Sequence, residues 1–471
     1  MNIHAQDILA VTRAHLLTAE RNDIFDGVMI DSRQTSKNGL FVALKGHKTD
    51  GHFYLEDAYQ HGARGAIVDN LVPHPPEMSL YLVDNTEKAL IGLGEFCSRQ
   101  LNGTKIAITG TVGKTTAKFF FQHLLGILYR VAATPQSYNT FIGVSSSFCN
   151  FSIENDFYVI EAGINKKGEM GELAKIIDPN IVVFTAFGRG HLEGFGNVET
   201  VVGEKMLLAQ NAHTVYLHGD NPYSSQLSED LKKTGKEVIR FGTPEGFDNT
   251  LILYDYHLDL KAGVSSFICR CEDQTISFRV PFFSPELMII LLPALHLALK
   301  SGISTIDIQG VLENLLLPEG REKIDHIGNG YVIDDSYNAN PVSMKKALHL
   351  LERFSHQGYQ TWAVLGDMLE MGNASQAVHE ECIRSLEEHH INNVILYGPL
   401  MHEAAEKVLS KNSLDGEYYL ASSPEEIQKI LLDKVPKIGD KWIVLFKGSR
   451  GMKMEEAIPP EWRECGQRVN Q

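Results

Sequence analysis

The stretch from Lys105 to Leu125, KIAITGTVGKTTAKFFFQHLL, restricts the fold of this chain more than any other segment. Its first residues, Lys105 to Thr109, form a short apolar run that predicts a buried strand, and phenylalanines and leucines recur at helical spacing near its end. The loop GTVGKTT, residues 110–116, lies between the two. A strand, a glycine-containing loop and a helix start present backbone N–H groups and a helix N-terminus to a phosphate. The segment therefore predicts a phosphate-binding α/β unit.

The chemistry of this loop indicates a nucleotide bound with Mg²⁺. A lysine in the position of Lys114 can reach the terminal phosphates, and the hydroxyl of Thr115 can hold the metal ion. The general phosphate-loop pattern has a glycine where Ile108 stands, so an ordinary strand-to-helix turn is the structural alternative. The predicted phosphate-binding residues are Gly110, Thr111, Val112, Gly113, Lys114, Thr115 and Thr116.

The length of 471 residues predicts about three domains, at roughly 100–200 residues each. Alternating strand and helix patterns place them at residues 1–103, 104–319 and 320–471, all of α/β type. The net charge of −16 argues against non-specific nucleic-acid binding. Six scattered cysteines fit a reduced cytoplasmic setting. We expect no signal peptide at the N-terminus. We also expect no membrane span, because the apolar run 282–299 is short and reads as a buried helix.

Polar residues follow the apolar strands of the middle region. Residues 157–163 and 181–188 are suited to central parallel strands, and ligand sites collect at the carboxyl ends of such strands. Glu161 is an acid within one of these runs, so it needs either an ion-pair partner or a metal. His191, just past the other run, reads by itself as a structural histidine, and Lys205 reads as a solvated helix lysine.

The last third of the chain repeats this design. Residues 330–341, 361–372 and 442–451 are strands that end in polar loops, the last of them opening into Lys447, Ser449 and Arg450. This pattern favours a binding face at one edge of a doubly wound sheet. In the first domain, residues 31–33 (Asp-Ser-Arg) are candidates for contact with an anion or are simply solvated.

Taken in chain order, these motifs resemble those of the Mur ligases. The matching segments, which span roughly residues 28–456, are GTVGKTT, EAG followed by GEMGELAKIIDP, HLEGFGNVE, DDSYNANPVSM, LGDMLEMG and FKGSRGMKME. Within the family, DDSYNAN and KGSRGMKME resemble the branch that joins D-alanyl-D-alanine to UDP-N-acetylmuramoyl-tripeptide. The resemblance implies three domains: a small α/β N-terminal domain for the UDP end, a central ATP-binding domain and a C-terminal Rossmann-like domain.

The resemblance also implies roles for individual residues. It gives ATP and Mg²⁺ as cofactors, a cytoplasmic enzyme of peptidoglycan precursor synthesis, no nucleic-acid partner and, as we expect, a monomer. The implied catalytic residues are Lys114, Lys205, His191, Glu161 and Asn139. The implied metal ligands are Thr115, Glu161, His191 and a carbamylated Lys205. The loop residues together with Arg321, Asp335 and Asn338 would hold ATP, and Ser32 and Arg33 would lie near the uridine diphosphate.

The chain departs from the family pattern at three places, one of which is Lys166-Lys167, where His-Pro or His-Gln is more usual after Asn165. Ala186 stands where an asparagine is usual, and residues 284–295, SPELMIILLPAL, contain neither the histidine nor the asparagines usual near the adenine. Two alternatives therefore stay open beside the D-alanyl-D-alanine ligase: another Mur-family amino-acid ligase, and a nucleotide-binding relative with reduced turnover. A third alternative, a phosphate-loop motor or switch GTPase, is weaker because the sequence has no motif for guanine.

Overall fold

The computed structural model describes residues 1–17, 23–46, 49–187, 197–244, 249–260, 262–410, 416–435 and 441–463. It confirms the predicted α/β class, because its three larger sheets are built mainly from parallel strands joined through helices. The positions of the domain boundaries stay a prediction. None of the helices in the described part of the chain has the length and apolarity needed to cross a membrane.

The N-terminal region contains a five-stranded sheet and a separate two-stranded one. Its strands are β1 (Ile3–His4), β2 (His15–Leu16), β3 (Ile24–Phe25), β4 (Val28–Met29), β5 (Gly39–Val42), β6 (Ala63–Val68) and β7 (Ser79–Leu82). Its helices are α1 (Ala5–Thr12), α2 (Leu55–Gln60) and α3 (Thr86–Gln100). The larger sheet has the order β2-β7-β6-β5-β4, and only β2 runs antiparallel to its neighbour.

The central region forms a nine-stranded sheet. Its strands are β8 (Thr104–Thr109), β9 (Val131–Ala133), β10 (Phe157–Glu161), β11 (Ile181–Phe184), β12 (Thr214–His218), β13 (Glu237–Gly242), β14 (Leu251–Asp259), β15 (Val264–Cys271) and β16 (Gln274–Val280). Its helices are α4 (Lys114–Leu125), α5 (Phe141–Asn150), α6 (Glu169–Ile177), α7 (Val198–Met206), α8 (Ser224–Lys233), α9 (Pro285–Lys300) and α10 (Thr305–Glu313).

The order of the central sheet places the phosphate-loop strand in its interior. The order is β16-β15-β14-β13-β12-β11-β8-β10-β9, and β8 runs parallel to both of its neighbours. The carboxyl ends of β8, β10 and β11 therefore meet at one edge, as the sequence predicts. The antiparallel strands β14 to β16 form the far side of the sheet.

The C-terminal region forms a six-stranded sheet in the order β17-β18-β22-β19-β20-β21. Its strands are β17 (Lys323–Ile327), β18 (Gly330–Asp335), β19 (Gln360–Gly366), β20 (Asn393–Tyr397), β21 (Glu417–Ala421) and β22 (Trp442–Lys447). Its helices are α11 (Pro341–His356), α12 (Ser375–Glu388), α13 (Pro399–Leu409) and α14 (Pro424–Lys434). Only β17 is antiparallel, so β18, β19 and β22 end at the same edge.

Close helix packing joins the first region to the second. Helix α3 packs on α5, and a Cβ placed on Gly94 would lie 2.4 Å from the Cβ of Ser145. Any larger side chain at Gly94 would therefore push the two helices apart, and glycine is required at this position.

The apolar run 282–299 forms the predicted buried helix, α9. The hydroxyl of Ser284 caps it by accepting from the backbone N–H of Leu287 at 3.4 Å, and Pro285 occupies the first turn, where its missing N–H costs nothing. Almost every side chain from Pro285 to Ala298 is buried. The helix packs against α4 and so borders the phosphate loop.

Candidate active site

The loop between β8 and α4 has the geometry of a phosphate cradle. Gly113 caps α4 in the left-handed region, with φ of +82°, and a Cβ there would lie 2.4 Å from Cδ1 of Ile290. The backbone N–H of Thr111 donates to the carbonyl of Ala186 at 2.9 Å, which ties the loop to the end of β11. The Nζ of Lys114 folds back and donates to the carbonyl of Gly110 at 2.9 Å.

Glu161, at the carboxyl end of β10, is the hub of a buried polar cluster. Only 1% of the residue is exposed. Its Oε2 accepts from the hydroxyl of Thr115 at 3.0 Å and lies 3.4 Å from the Nζ of Lys118, while its Oε1 accepts from the amide of Asn139 at 2.9 Å. Both predicted readings of Glu161 are therefore compatible with the geometry, because it has an ion-pair partner and also presents oxygens beside the loop hydroxyl.

Lys205 lies in the interior of the protein, so the solvated reading of this helix lysine is wrong. It is 2% exposed, and its Nζ donates to the carbonyl of Gly110 at 3.3 Å, the same oxygen that Lys114 contacts. Burial, and then repulsion from Lys114, hold the pKa of Lys205 well below its usual range. Burial also lowers the pKa of Lys114, although Glu161 opposes that shift. Both effects favour the neutral form of the Lys205 amine.

Side chains of the C-terminal region reach the same cluster. Arg321 donates from Nη2 to the Thr115 hydroxyl at 3.1 Å, and its guanidinium carbon lies 3.9 Å from the centre of the Tyr337 ring. The hydroxyl of Tyr337 hydrogen-bonds to that of Ser137. Asp335, at the end of β18, pairs with the Nζ of Lys447. Burial raises the pKa of Asp335, and Lys447 opposes the shift.

These groups enclose a cavity of about 310 Å³ between the central and C-terminal sheets. The cavity is lined by Thr111, Val112, Gly113, Lys114, Thr115, Thr116, Ser137, Asn139, Glu161, Glu286, Leu287, Ile290, Arg321, Glu322, Asp335, Tyr337, Asn338, Asn340, Ser343, Lys346, Lys447 and Arg450. A smaller cavity adjoins it and is lined by Lys114, Asn139, Thr140, Gly163, Ile164, Asn165 and Lys205. Lys114 and Asn139 line both cavities, so a group in one would lie close to a group in the other.

The structure brings together most of the residues that the sequence singled out, and their roles stay predictions. Ser32 and Arg33 follow β4, outside the described lining of both cavities, and Arg33 is paired with Asp31 at 2.6 Å on the surface. His191 falls outside the described residues.

Sequence reasoning missed several charged groups in this site, among them Lys118, Lys447, Glu286 and Glu322. Lys118 lies one helical turn after Lys114, and that spacing was a usable signal. Lys447 was noted only as the polar end of a strand. Glu286 and Glu322 carried no signal, because they reach the cavity from a helix start and a turn that are remote from the loop in sequence.

The fold and the cavity define a phosphate-loop protein of the α/β class, built from three sheet-containing regions. Three family models match it: "Mur ligase family, catalytic domain" over residues 25–79, "Mur ligase middle domain" over 108–284, and "Mur ligase, glutamate ligase domain" over 321–450.

Curated relatives match over nearly the whole chain. The UDP-N-acetylmuramoyl-tripeptide–D-alanyl-D-alanine ligase of Bacillus subtilis is 31% identical over 442 residues, covering 92% of this chain and 93% of that protein. The ligase of the same name from Treponema pallidum is 30% identical over 477 residues, covering 96% of each. This chain belongs to the Mur ligase family and is therefore an enzyme of the ligase class.

Solved structures share the fold. MurF from Acinetobacter baumannii superimposes with a TM-score of 0.85 at 23% identity, over 99% of both chains. MurF ligase from Thermotoga maritima in complex with ADP gives a TM-score of 0.77 at 24% identity, over 94% of this chain and 98% of that one.

Proposed function

We propose that this chain is an ATP-dependent ligase that joins D-alanyl-D-alanine to UDP-N-acetylmuramoyl-tripeptide, with release of ADP and phosphate, in peptidoglycan precursor synthesis. The observation that carries the proposal is the meeting of Lys114, Glu161, Lys205 and Arg321 around one phosphate loop. The names of the curated relatives support the choice of substrates, and the ADP in the Thermotoga maritima structure supports the nucleotide.

The reaction needs an activated acid, because a carboxylate is a poor electrophile. A carboxylate oxygen of the tripeptide attacks the γ-phosphorus of ATP, the bond to the β-phosphate oxygen breaks, and ADP leaves. The amine of D-alanyl-D-alanine then attacks the carbon of the acyl phosphate. The tetrahedral intermediate expels phosphate, and the amine loses its proton to complete the amide.

Positive groups of this chain offset the repulsion between the two anionic substrates. Lys114 lies at the loop where the β- and γ-phosphates would bind, and Arg321 reaches Thr115 from the other side. Hydrogen bonds to the Gly110 carbonyl and the Thr115 hydroxyl hold the two side chains at the loop, where they can stabilise charge that moves during transfer. The two adjoining cavities suit the nucleotide and the acceptor carboxylate respectively.

The residues of the site fit Mg²⁺, because a hydroxyl and a carboxylate are the oxygen ligands that this ion prefers. Thr115 and Glu161 would hold it, with Oγ1 and Oε2 already 3.0 Å apart. When bound, Mg²⁺ would neutralise phosphate charge and favour in-line transfer. His191 remains a predicted ligand.

Lys205 is proposed to carry a carbamate. A neutral amine attacks CO₂, one proton leaves, and the uncharged side chain becomes an anion that can bind a metal ion. The lowered pKa of Lys205 favours this step, since only the neutral amine reacts.

Other parts of the proposal rest on the family resemblance. Residues 1–103 would bind the UDP end through Ser32 and Arg33, 104–319 would bind ATP, and 320–471 would close over the site. We propose a monomer in the cytoplasm, and the buried free thiols of Cys97, Cys149, Cys269, Cys271 and Cys382 fit that compartment.

The decisive test is phosphate release from ATP and Mg²⁺ with UDP-N-acetylmuramoyl-tripeptide and D-alanyl-D-alanine, with the amide product confirmed by mass spectrometry. We expect release only when all substrates are present. Parallel reactions with D-alanine, L-lysine or glutamate test the amino-acid-ligase alternative. Tight ATP binding without product in any reaction would instead identify the relative with reduced turnover.

A further inference from the structure

The wall of the larger cavity beyond the phosphate loop combines an apolar face with half-buried acids. Leu287 and Ile290 of α9 supply the apolar face, and Ile290 touches Gly113 at the start of α4. Glu286 and Glu322 line the same wall. A nucleoside that extends from the phosphates would place a flat base against the apolar side chains, with the acids at its polar edge.

Glu322 has two unusual features for a residue outside a functional site. Its φ is +57°, in the left-handed region that side chains other than glycine rarely adopt. Its Oε2 is buried and has no hydrogen-bond partner among the described residues. Both features are unfavourable for folding, and such strained or unsatisfied groups concentrate at ligand sites. A ligand that satisfies the free oxygen would explain both.

We propose that Glu322 reads the base of the nucleotide, its neutral carboxyl group accepting from the exocyclic amine of adenine and donating to the neighbouring ring nitrogen. The inference rests on the proposed function, since it assumes that ATP occupies the cavity. Residues 284–295, some of which line the cavity, contain neither histidine nor asparagine. Glu322 would therefore supply the base with a polar partner.

The surroundings of Glu322 keep its carboxyl group protonated. Burial raises the pKa of Glu322 to about 8, with further contributions from Asp335 and Glu286, while Lys447 and the hydroxyl of Ser284 oppose the shift. The Ser284 hydroxyl also lies 3.0 Å from Oε2 of Glu286. At neutral pH the group therefore offers one donor and one acceptor, which the ionised form cannot do.

The test compares two substitutions by calorimetric titration with ADP and with purine riboside diphosphate, which lacks the 6-amino group. Glu322→Gln keeps a donor and an acceptor, whereas Glu322→Leu keeps neither. We expect about tenfold weaker ADP binding for Glu322→Leu and near wild-type binding for Glu322→Gln. The preference for ADP over the purine analogue, about fivefold in the wild type, should fall to about one in Glu322→Leu alone.

A pH series measures how the affinity for ADP changes as Glu322 ionises, a dependence that a merely structural role of Glu322 would not produce. Between pH 7.5 and 9.5 the wild type should lose affinity for ADP as Glu322 ionises, and Glu322→Gln should stay flat by comparison. Glu319→Leu removes an exposed acid three residues earlier and serves as the control for charge.

Because binding is measured without turnover, the result does not depend on the ligase assay. An unchanged base preference in Glu322→Leu, with ADP still bound, would overturn the proposal and leave the proposed function standing.

Discussion

The two ends of the nucleotide cavity are built in different ways. At the phosphate end, one continuous stretch, residues 110–118, supplies the loop backbone, two lysines and a hydroxyl. At the end where we propose that the nucleoside binds, side chains arrive from segments far apart in sequence, among them residues 286–290, Glu322 and residues 335–338. The first end recognises charge that every nucleotide carries, and the second has to recognise one particular base.

This difference explains why one end is easy to read from sequence and the other is not. Backbone N–H groups and a helix N-terminus bind phosphate whatever the neighbouring side chains are, so a short local pattern suffices. Recognition of a base needs donors and acceptors at chosen points, and many combinations of residues can supply them. The comparison predicts that changes at the phosphate end affect all nucleotides equally, whereas changes at the nucleoside end depend on the base.

The largest effect is expected for Lys114→Ala. It removes the cation that faces the transferred phosphate, and we expect kcat to fall by roughly 100- to 1,000-fold, by the same factor for ATP and for purine riboside triphosphate. Steady-state kinetics with both nucleotides measure this.

Lys105→Ala is the matched control. Lys105 is a buried lysine on β8, the strand that precedes the loop, and its Nζ contacts the hydroxyl of Ser98 at 3.2 Å, away from the cavity. A fall in kcat of similar size in Lys105→Ala would contradict the prediction. So would a fall for Lys114→Ala that differs between ATP and purine riboside triphosphate, because the phosphate end would then not act independently of the base.

A smaller loss is expected for Lys205→Ala, about 100-fold in kcat with little change in the KM for ATP. The variant loses the proposed carbamate beside the acceptor cavity while the phosphate loop stays intact. In the wild type, ¹³C-labelled bicarbonate should give a protein-bound carbamate signal by NMR, and in Lys205→Ala that signal should be absent. Lys175→Ala, an exposed helix lysine, should keep both signal and rate. If the carbamate signal persisted in Lys205→Ala, Lys205 would not be the residue that carries the carbamate.

The sequence predicted those parts of the fold and the site that depend on local pattern. The strand and helix around residues 110–116 form as expected. Strands β10 and β18 belong to different sheets, and each delivers an acid, Glu161 or Asp335, to the cavity from its carboxyl end. The apolar run 282–299 is a buried helix, α9, as its composition indicates.

What the sequence could not supply was contact between remote segments. The approach of Arg321 to Thr115, and the burial of Lys205 against the carbonyl of Gly110, depend on how sheets and helices pack. By local pattern alone, Lys205 looked like any solvated helix lysine, and only the family resemblance singled it out. Glu322 belongs to the same group, since its value to the site depends on an unsatisfied oxygen that no sequence pattern reveals.

The smallest effect is expected where the two ends touch, at Ile290. Ile290→Val deletes Cδ1, the atom that a Cβ on Gly113 would meet first, and so opens a gap of one methyl group behind the loop. We expect the KM for ATP to rise by about two- to fivefold with kcat unchanged, since loss of such a group costs about 1 kcal/mol. Ile289→Val removes the same atom from a buried neighbour outside the described cavity wall, and should lower the melting temperature similarly without changing KM. If Ile290→Val lowered kcat instead, the apolar face would be setting the position of the phosphates, and the two ends of the cavity would not be separable.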